Sequence, residues 1–288
     1  MRVAVAQYPV AQEPTAQDPV DATARDPLTA ESAAAREAIE QAAADGAGLV
    51  VLPEPAAPAR GVPQTWDGHV FEAVLGEAAA RGRITVVAGL WERPASATGP
   101  AGGGPAEALA AGNLAYSAVT VVGPDGRTVA RYDKLHLYDA FSARESDSYL
   151  PGQQAPPVVG IPGSRLRLGV MTCYDLRFPE VARDLAVRGA HVIAVPAAWA
   201  AGPLKEEHWS VLLRARALEN TAYLAAAGRT PPGHIGRSAV VDPLGVVLAE
   251  AGEEPAQASA HLSWQRLEAV RSRLPVLDQR RYADPVLR

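Results

Sequence analysis

The sequence predicts an α/β layered domain whose strands run in mixed directions. Three observations carry that prediction. Short apolar runs of strand length alternate with Ala- and Glu-rich segments of helical character. Hairpin signals, PDG at 124–126 and PLG at 243–245, interleave with that alternation. Hydrophobic residues make up 48% of the 288, enough to bury a substantial core. Alternating strands and helices build layered sheets, and hairpins reverse strand direction within them. No internal repeat and no linker divides the chain, so residues 1–288 read as a single domain with a C-terminal tail from about 263.

The elements follow in order. Arg2 to Gln7 reads as a buried strand. Residues 8–29 hold four prolines among Asp and Gln and read as a surface loop. Ala30 to Ala44 is helical, ending near Gly46. Gly48 to Leu52 is a buried strand stopped by Pro53. Val70 to Arg81 is a helix and Ile84 to Leu90 the next strand. Residues 94–112 are low in complexity and read as a flexible loop. Leu114 to Val122 and Thr128 to Tyr132 flank the PDG turn. Leu166 to Thr172 is a strand, Pro179 to Arg188 a helix closed by Gly189, and His191 to Val195 a strand. Glu206 to Asn220 is a helix, followed by the strand-like TAYLAAA. Ser238 to Asp242 and Val246 to Glu250 flank PLG. The last forty residues give one short strand, one short helix and an irregular tail.

Composition narrows the function. The net charge is -5 and mixed along the chain, with no basic block, which argues against nucleic acid and anionic membrane as partners. One cysteine forms no internal disulfide. The N-terminal apolar stretch is short and broken by Pro9, unlike a signal peptide. No apolar run approaches the roughly 20 residues of a spanning helix. A soluble, cytoplasmic protein is the expectation. Of the 27 basic residues only Lys134 and Lys205 are lysines. In a chain so biased to arginine, a remaining lysine is a candidate for a task that needs a compact cation.

The single cysteine stands in GVMTCYDLRFPE, residues 169–180, where an apolar strand gives way to a helix pattern. A lone cysteine is ordinarily a small buried hydrophobe. At a strand end before a helix, however, Cys173 meets N–H groups and partial positive charge that suit a thiolate or an oxyanion. Zinc and iron–sulfur sites need several thiolates or clustered histidines. No histidine sits in a papain-like signature, so the base is sought at other strand ends. Glu54, in LVVLPEP, leaves a buried strand directly; it is either a loop-entry residue or an acid/base group at the rim of the sheet. Lys134, in VARYDKLHLYD, is either a solvated cation or a charge that favours the thiolate and donates to an oxyanion.

Three segments in this order, VVLPEP, YDKLHLYD and GVMTCYDLRFPE, resemble the nitrilase superfamily of carbon–nitrogen hydrolases, as do GPLKEEHWSVLLRARALENTAYLAAAG and VVDPLG. The resemblance spans Arg2 to about Arg281. It implies a four-layer αββα sandwich, with Cys173 as nucleophile, Glu54 as general base and Lys134 as transition-state stabiliser. Glu145, in ARESDSYLPG, resembles the second glutamate beside the lysine. The resemblance implies no metal and no organic cofactor, and pairing into a homodimer or larger homo-oligomer. Tyr174-Asp175 after the cysteine resembles the amidase branch, the enzymes acting on deaminated glutathione and the omega-amidases. The expected activity is hydrolysis of a small carboxylated amide through a thioester. The same triad also serves N-carbamoyl hydrolysis or acyl transfer, and an inactive binding protein on this fold is the reading outside enzymes. Departures lie at 8–29, at 94–112 and at Ala56 and Ala57, and they bear on pocket shape. For the pocket, Tyr174 is a substrate-binding candidate whose backbone N–H would meet the oxyanion, and Trp199 is either a wall of the pocket or a core or interface tryptophan. Arg177 is a candidate for a substrate carboxylate or for an ion pair with Glu180. His208 is a substrate-side or supporting residue, and Lys205 stays open.

Overall fold

Alternate burial along the strands sorts the chain into four layers. The computed structural model describes residues 1–9, 27–55, 62, 66–94, 114–141, 143–282 and 287. Its first half runs β1 (Arg2–Gln7), α1 (Pro27–Ala44), β2 (Leu49–Val51), α2 (Gly68–Gly82), β3 (Thr85–Glu92), β4 (Tyr116–Val122) and β5 (Thr128–Asp133). The second half runs β6 (Val158–Gly160), β7 (Arg167–Val170), α3 (Pro179–Val187), β8 (Val192–Pro196), α4 (Lys205–Asn220), β9 (Tyr223–Ala227), β10 (Ala239–Val241), β11 (Val247–Glu250), β12 (Ala256–His261) and α5 (Trp264–Arg273). Short 3₁₀ turns at Glu145–Asp147 and Cys173–Arg177 complete the list.

Among the described residues two six-stranded sheets result, ordered β12-β1-β2-β3-β4-β5 and β11-β10-β9-β8-β7-β6. In each, three central strands run parallel and antiparallel strands flank them. Because successive side chains of a strand face opposite sides, Val3 and Val5 enter the core between the sheets, with Leu49, Val51, Val170 and Ala194. Ala4, Ala6 and Val50 face outward and pack on Ile39 of α1 and Leu75 of α2. Ile193, Val195 and Leu224 do the same against Leu185 of α3 and Leu213 of α4. The order is helix, sheet, sheet, helix. Each large aliphatic buried this way contributes about 1.5–3 kcal/mol.

Several boundaries differ from expectation. The helix expected from Ala30 begins at Pro27, whose fixed φ suits a first turn. The rest of the expected 8–29 loop, apart from Tyr8 and Pro9, lies outside the described residues, as do 95–112, Ala56 and Ala57. The strand expected over Leu166–Thr172 stops at Val170, because the next residues turn to form the site. β6, between prolines in PPVVGIP, escaped the sequence reading. The tail from 263 begins with α5, capped where Ser263 Oγ accepts from Arg266 N at 3.2 Å. Among the described residues no helix is long and apolar enough to cross a membrane.

Candidate active site

Parallel strands place their C-terminal ends on one rim, and here the rims of both sheets meet. Glu54 follows β2, Lys134 follows β5, Cys173 follows β7, and Ala198 follows β8. The Glu54 backbone passes so close to β3 that a Cβ at Gly89 would lie 2.6 Å from Glu54 Cα and 2.7 Å from Pro55 Cδ. Only glycine permits that approach. Arg229, beyond β9, donates from Nε to the Glu54 carbonyl at 2.8 Å.

The four sequence candidates for chemistry converge. Lys134 is fully buried. Its ammonium donates to Glu54 Oε1 at 3.0 Å and to Glu145 Oε1 and Oε2 at 3.1 and 2.8 Å. Ser117 of β4 donates a second bond to Glu54 Oε1 at 2.9 Å, and the Ala198 N–H donates to Oε2 at 3.1 Å. The Cys173 thiol hydrogen-bonds to the same carboxylate. Glu145 is held from behind by the Tyr138 N–H at 2.8 Å. Ser117, Ala198 and Arg229 were missed by sequence reasoning. Ser117 and Thr120 are the two small hydroxyl residues within the apolar run of β4, and that was the one available signal for Ser117.

Cys173 opens its 3₁₀ turn with φ +45°, a left-handed conformation costly for a residue with a side chain. The turn is pinned by Asp175, which is fully buried. Its carboxylate accepts from Thr172 N at 3.1 Å, from the Tyr132 hydroxyl at 2.7 Å and from His136 N at 3.2 Å. His136 Nδ1 lies 2.8 Å from it as well. One carboxylate therefore ties the cysteine turn to the strand and loop that carry Lys134.

Charge follows from this geometry. Burial lifts the Glu54 pKa, but the Lys134 ammonium and hydrogen bonds from Cys173, Lys134 and Ser117 outweigh it and hold the carboxyl below its usual range. Burial opposes the charge on Lys134, yet Glu54, Cys173 and Glu145 raise its pKa well above normal. Burial lifts Glu145, against the pull of Lys134. Burial and Glu54 push the Cys173 thiol well up, and Lys134 offsets only part of this. Lys134 does pull toward the thiolate, as the sequence reading expects, but burial and Glu54 outweigh it. Lys134 is already engaged by two carboxylates, and the thiol is protonated beside an ionised base. Proton transfer from Sγ to Glu54 must then accompany attack.

Beside these groups lies a cavity of about 30 Å³, lined by Cys173, Glu145, Tyr174, Arg177, Trp199 and Lys205, among others. Tyr174 and Trp199 both line it. The Arg177 guanidinium lies 4.8 Å over the Trp199 ring. Its ion pair with Glu180 is absent among the described residues. His208 stands outside the wall, with Nδ1 3.4 Å from Arg177 Nη2, and supports that side chain. Lys205 donates to the Tyr138 hydroxyl at 2.8 Å and lies 4.1 Å over the Phe141 ring. A wider cleft of about 510 Å³, lined by Arg183, Glu219 and Arg280 among others, lies on the outer helical face, and Cys173 is not part of its lining.

The chain has relatives among known proteins. The sequence model of the carbon-nitrogen hydrolase family matches residues 2–272. A deaminated glutathione amidase from Synechocystis sp. (strain PCC 6803 / GT-S) is 37% identical over 273 residues, 90% of this chain and 95% of that protein. A deaminated glutathione amidase from Escherichia coli O157:H7 is 50% identical over 162 residues, 56% of this chain and 61% of that protein. The solved amidase from Nesterenkonia sp. AN1 matches with a TM-score of 0.74 and 27% identity, covering 98% of this chain and 96% of that one. A mutant of it shows covalent addition of the acetamide moiety of fluoroacetamide at its active-site cysteine.

Proposed function

This chain belongs to the carbon–nitrogen hydrolase family, and on that premise we propose that Cys173, Glu54 and Lys134 carry out its cysteine-dependent amide hydrolysis. The observation that carries the assignment is the Glu54 carboxylate, which bonds both the Lys134 ammonium and the Cys173 thiol in a buried site. Glu54 takes the thiol proton as Sγ attacks the amide carbon. Lys134 and the Tyr174 N–H stabilise the oxyanion. Glu54 then gives its proton to the departing ammonia or amine, the C–N bond breaks, and a thioester remains. Water, deprotonated by Glu54, attacks the thioester. The acid leaves and the proton returns to Sγ. Glu145 keeps Lys134 charged and aimed.

The substrate in this reading is a small carboxylated amide of the deaminated glutathione type. Arg177 supports it, as a cation on the cavity wall whose contacts are an aromatic face and an imidazole rather than an acid. A second copy of the chain is the partner in this reading. Exposed Val211 and Leu218 on α4 and Leu244, Val246 and Leu248 around the β10–β11 turn support it, and light scattering tests it. A cytoplasmic location completes the reading, supported by a cysteine that is free. The deciding experiment is ammonia release from deaminated glutathione, 2-oxoglutaramate, a simple aliphatic amide and an N-carbamoyl amino acid, wild type beside Cys173→Ala. Release from the carboxylated amides by wild type alone supports the proposal. Equal or preferred release from the neutral amide or the carbamoyl compound overturns the substrate class. Activity in Cys173→Ala overturns the nucleophile.

A further inference from the structure

We propose that Arg229 and Glu31 are positioning residues for the reaction: the buried arginine fixes the Glu54 peptide, and through it the carboxylate that exchanges protons with Cys173. The inference rests on Glu54 being the base.

Arg229 lies two residues past β9, on the rim of the second sheet, and is fully buried. A guanidinium there has five N–H donors to satisfy. Nε donates to the Glu54 carbonyl at 2.8 Å, and Nη2 to Glu31 Oε1 at 2.5 Å. Nη1 reaches the Pro9 carbonyl at 3.4 Å, and the plane lies 4.6 Å over the Tyr8 ring. The Tyr8 hydroxyl donates to the same Glu31 oxygen at 3.1 Å. One side chain thus joins the ends of β1 and β2, the first turns of α1 and the loop after β9. Glu31, itself buried, balances its charge. A lysine has one nitrogen and cannot bond in these separate directions from a rigid plane.

A purely structural ion pair would have no need to bond the base itself. Here the carbonyl accepting from Nε is the one on Glu54. Both carboxylate oxygens already have donors, from Lys134, Ser117 and the Ala198 N–H, and Gly89 limits the backbone on the β3 side. The Arg229 bond holds the peptide, which leaves the residue no free end. Misplacement of a reacting group by about 1 Å costs about 10²-fold in rate.

Removing one partner would leave the other charged and buried, so the informative variant is Arg229→Met combined with Glu31→Gln. Arg229→Lys accompanies it, keeping the charge and losing the fork. For each, thermal melting, kcat and KM for ammonia release, and the rate of Cys173 alkylation by iodoacetamide are measured. The expected result is a folded protein with kcat about 10²-fold lower, KM within about threefold, and alkylation slowed about tenfold. If the double variant does not fold, the same losses in Arg229→Lys decide. Folded variants with kcat and alkylation within about threefold of wild type overturn the proposal, since a structural pair would move only the melting temperature. Glu54→Gln, run in parallel, separates the two assignments. If it is active, the base assignment falls and this proposal with it. If it is inactive while the Arg229 variants behave as wild type, only the positioning role falls.

Discussion

Lys134→Arg keeps the charge and should still disable the enzyme. The nitrogen of the fully buried Lys134 is one atom with three donors, and it makes bonds of 3.0, 3.1 and 2.8 Å to two carboxylates. An arginine brings a planar fork in place of a point charge. The adjoining cavity holds about 30 Å³, room for about two waters and not for a displaced guanidinium. Two effects follow. Overpacking a filled site costs about 1–3 kcal/mol, which lowers Tm by about 2–4 °C per kcal/mol in a chain of this size. An oxyanion donor moved off its position costs about 10²–10³ in kcat, or about 2.7–4 kcal/mol. Steady-state ammonia release gives kcat and KM, and a circular-dichroism melt separates lost chemistry from lost fold. A folded Lys134→Arg with kcat within about threefold of wild type would refute the reasoning.

Cys173→Ala should lower turnover by at least about 10⁴-fold. Native Cys173 should react with iodoacetamide and be protected by a slow amide substrate; labelling seen only on unfolding would contradict its place in the cavity. Ser117→Ala removes a donor to the ionised form of Glu54, so the Glu54 pKa rises and the acid limb of kcat/KM moves to higher pH. An unmoved limb would show that the Ser117 bond has no such effect. A carboxyl held low in the fold adds stability above its unfolded pKa, and that stability is lost as pH falls through the folded value. The Tm gap between Ser117→Ala and wild type, worth about 1.5–3 kcal/mol at neutral pH, should therefore close on acidification. Gly89→Ala forces a Cβ to 2.6 Å from Glu54 Cα. A drop in kcat of about 10²-fold is expected, and unchanged kinetics would mean that the Glu54 backbone yields freely.

Much of the candidate site could be read before any coordinates. VVLPEP, YDKLHLYD and GVMTCYDLRFPE each put one chemical group at the end of an apolar strand, and a parallel strand delivers its C-terminal residues to a common rim. The scarcity of lysine singled out Lys134, a compact point charge in a chain that otherwise uses the planar fork of arginine. The supporting residues were hidden because they act through space. Ser117 lies 63 positions from Glu54, and Ala198 contributes only a backbone N–H, which has no sequence signature. Arg229 lies 175 positions away. Asp175 was visible as a motif letter, yet its bonds to Tyr132 and His136 exist only because β5 and β7 end at the same rim.

The sequence by itself determined the layered α/β class and singled out Cys173, Glu54 and Lys134 as candidates, with Glu145 added by family resemblance, because periodicity and residue chemistry are local properties. The tertiary structure decided the charge state in which those groups rest. Whether Cys173 waits as thiol or thiolate depends on burial and on the balance between Glu54 and Lys134 at a few ångströms. That balance is set only when two sheets bring four distant strand ends together.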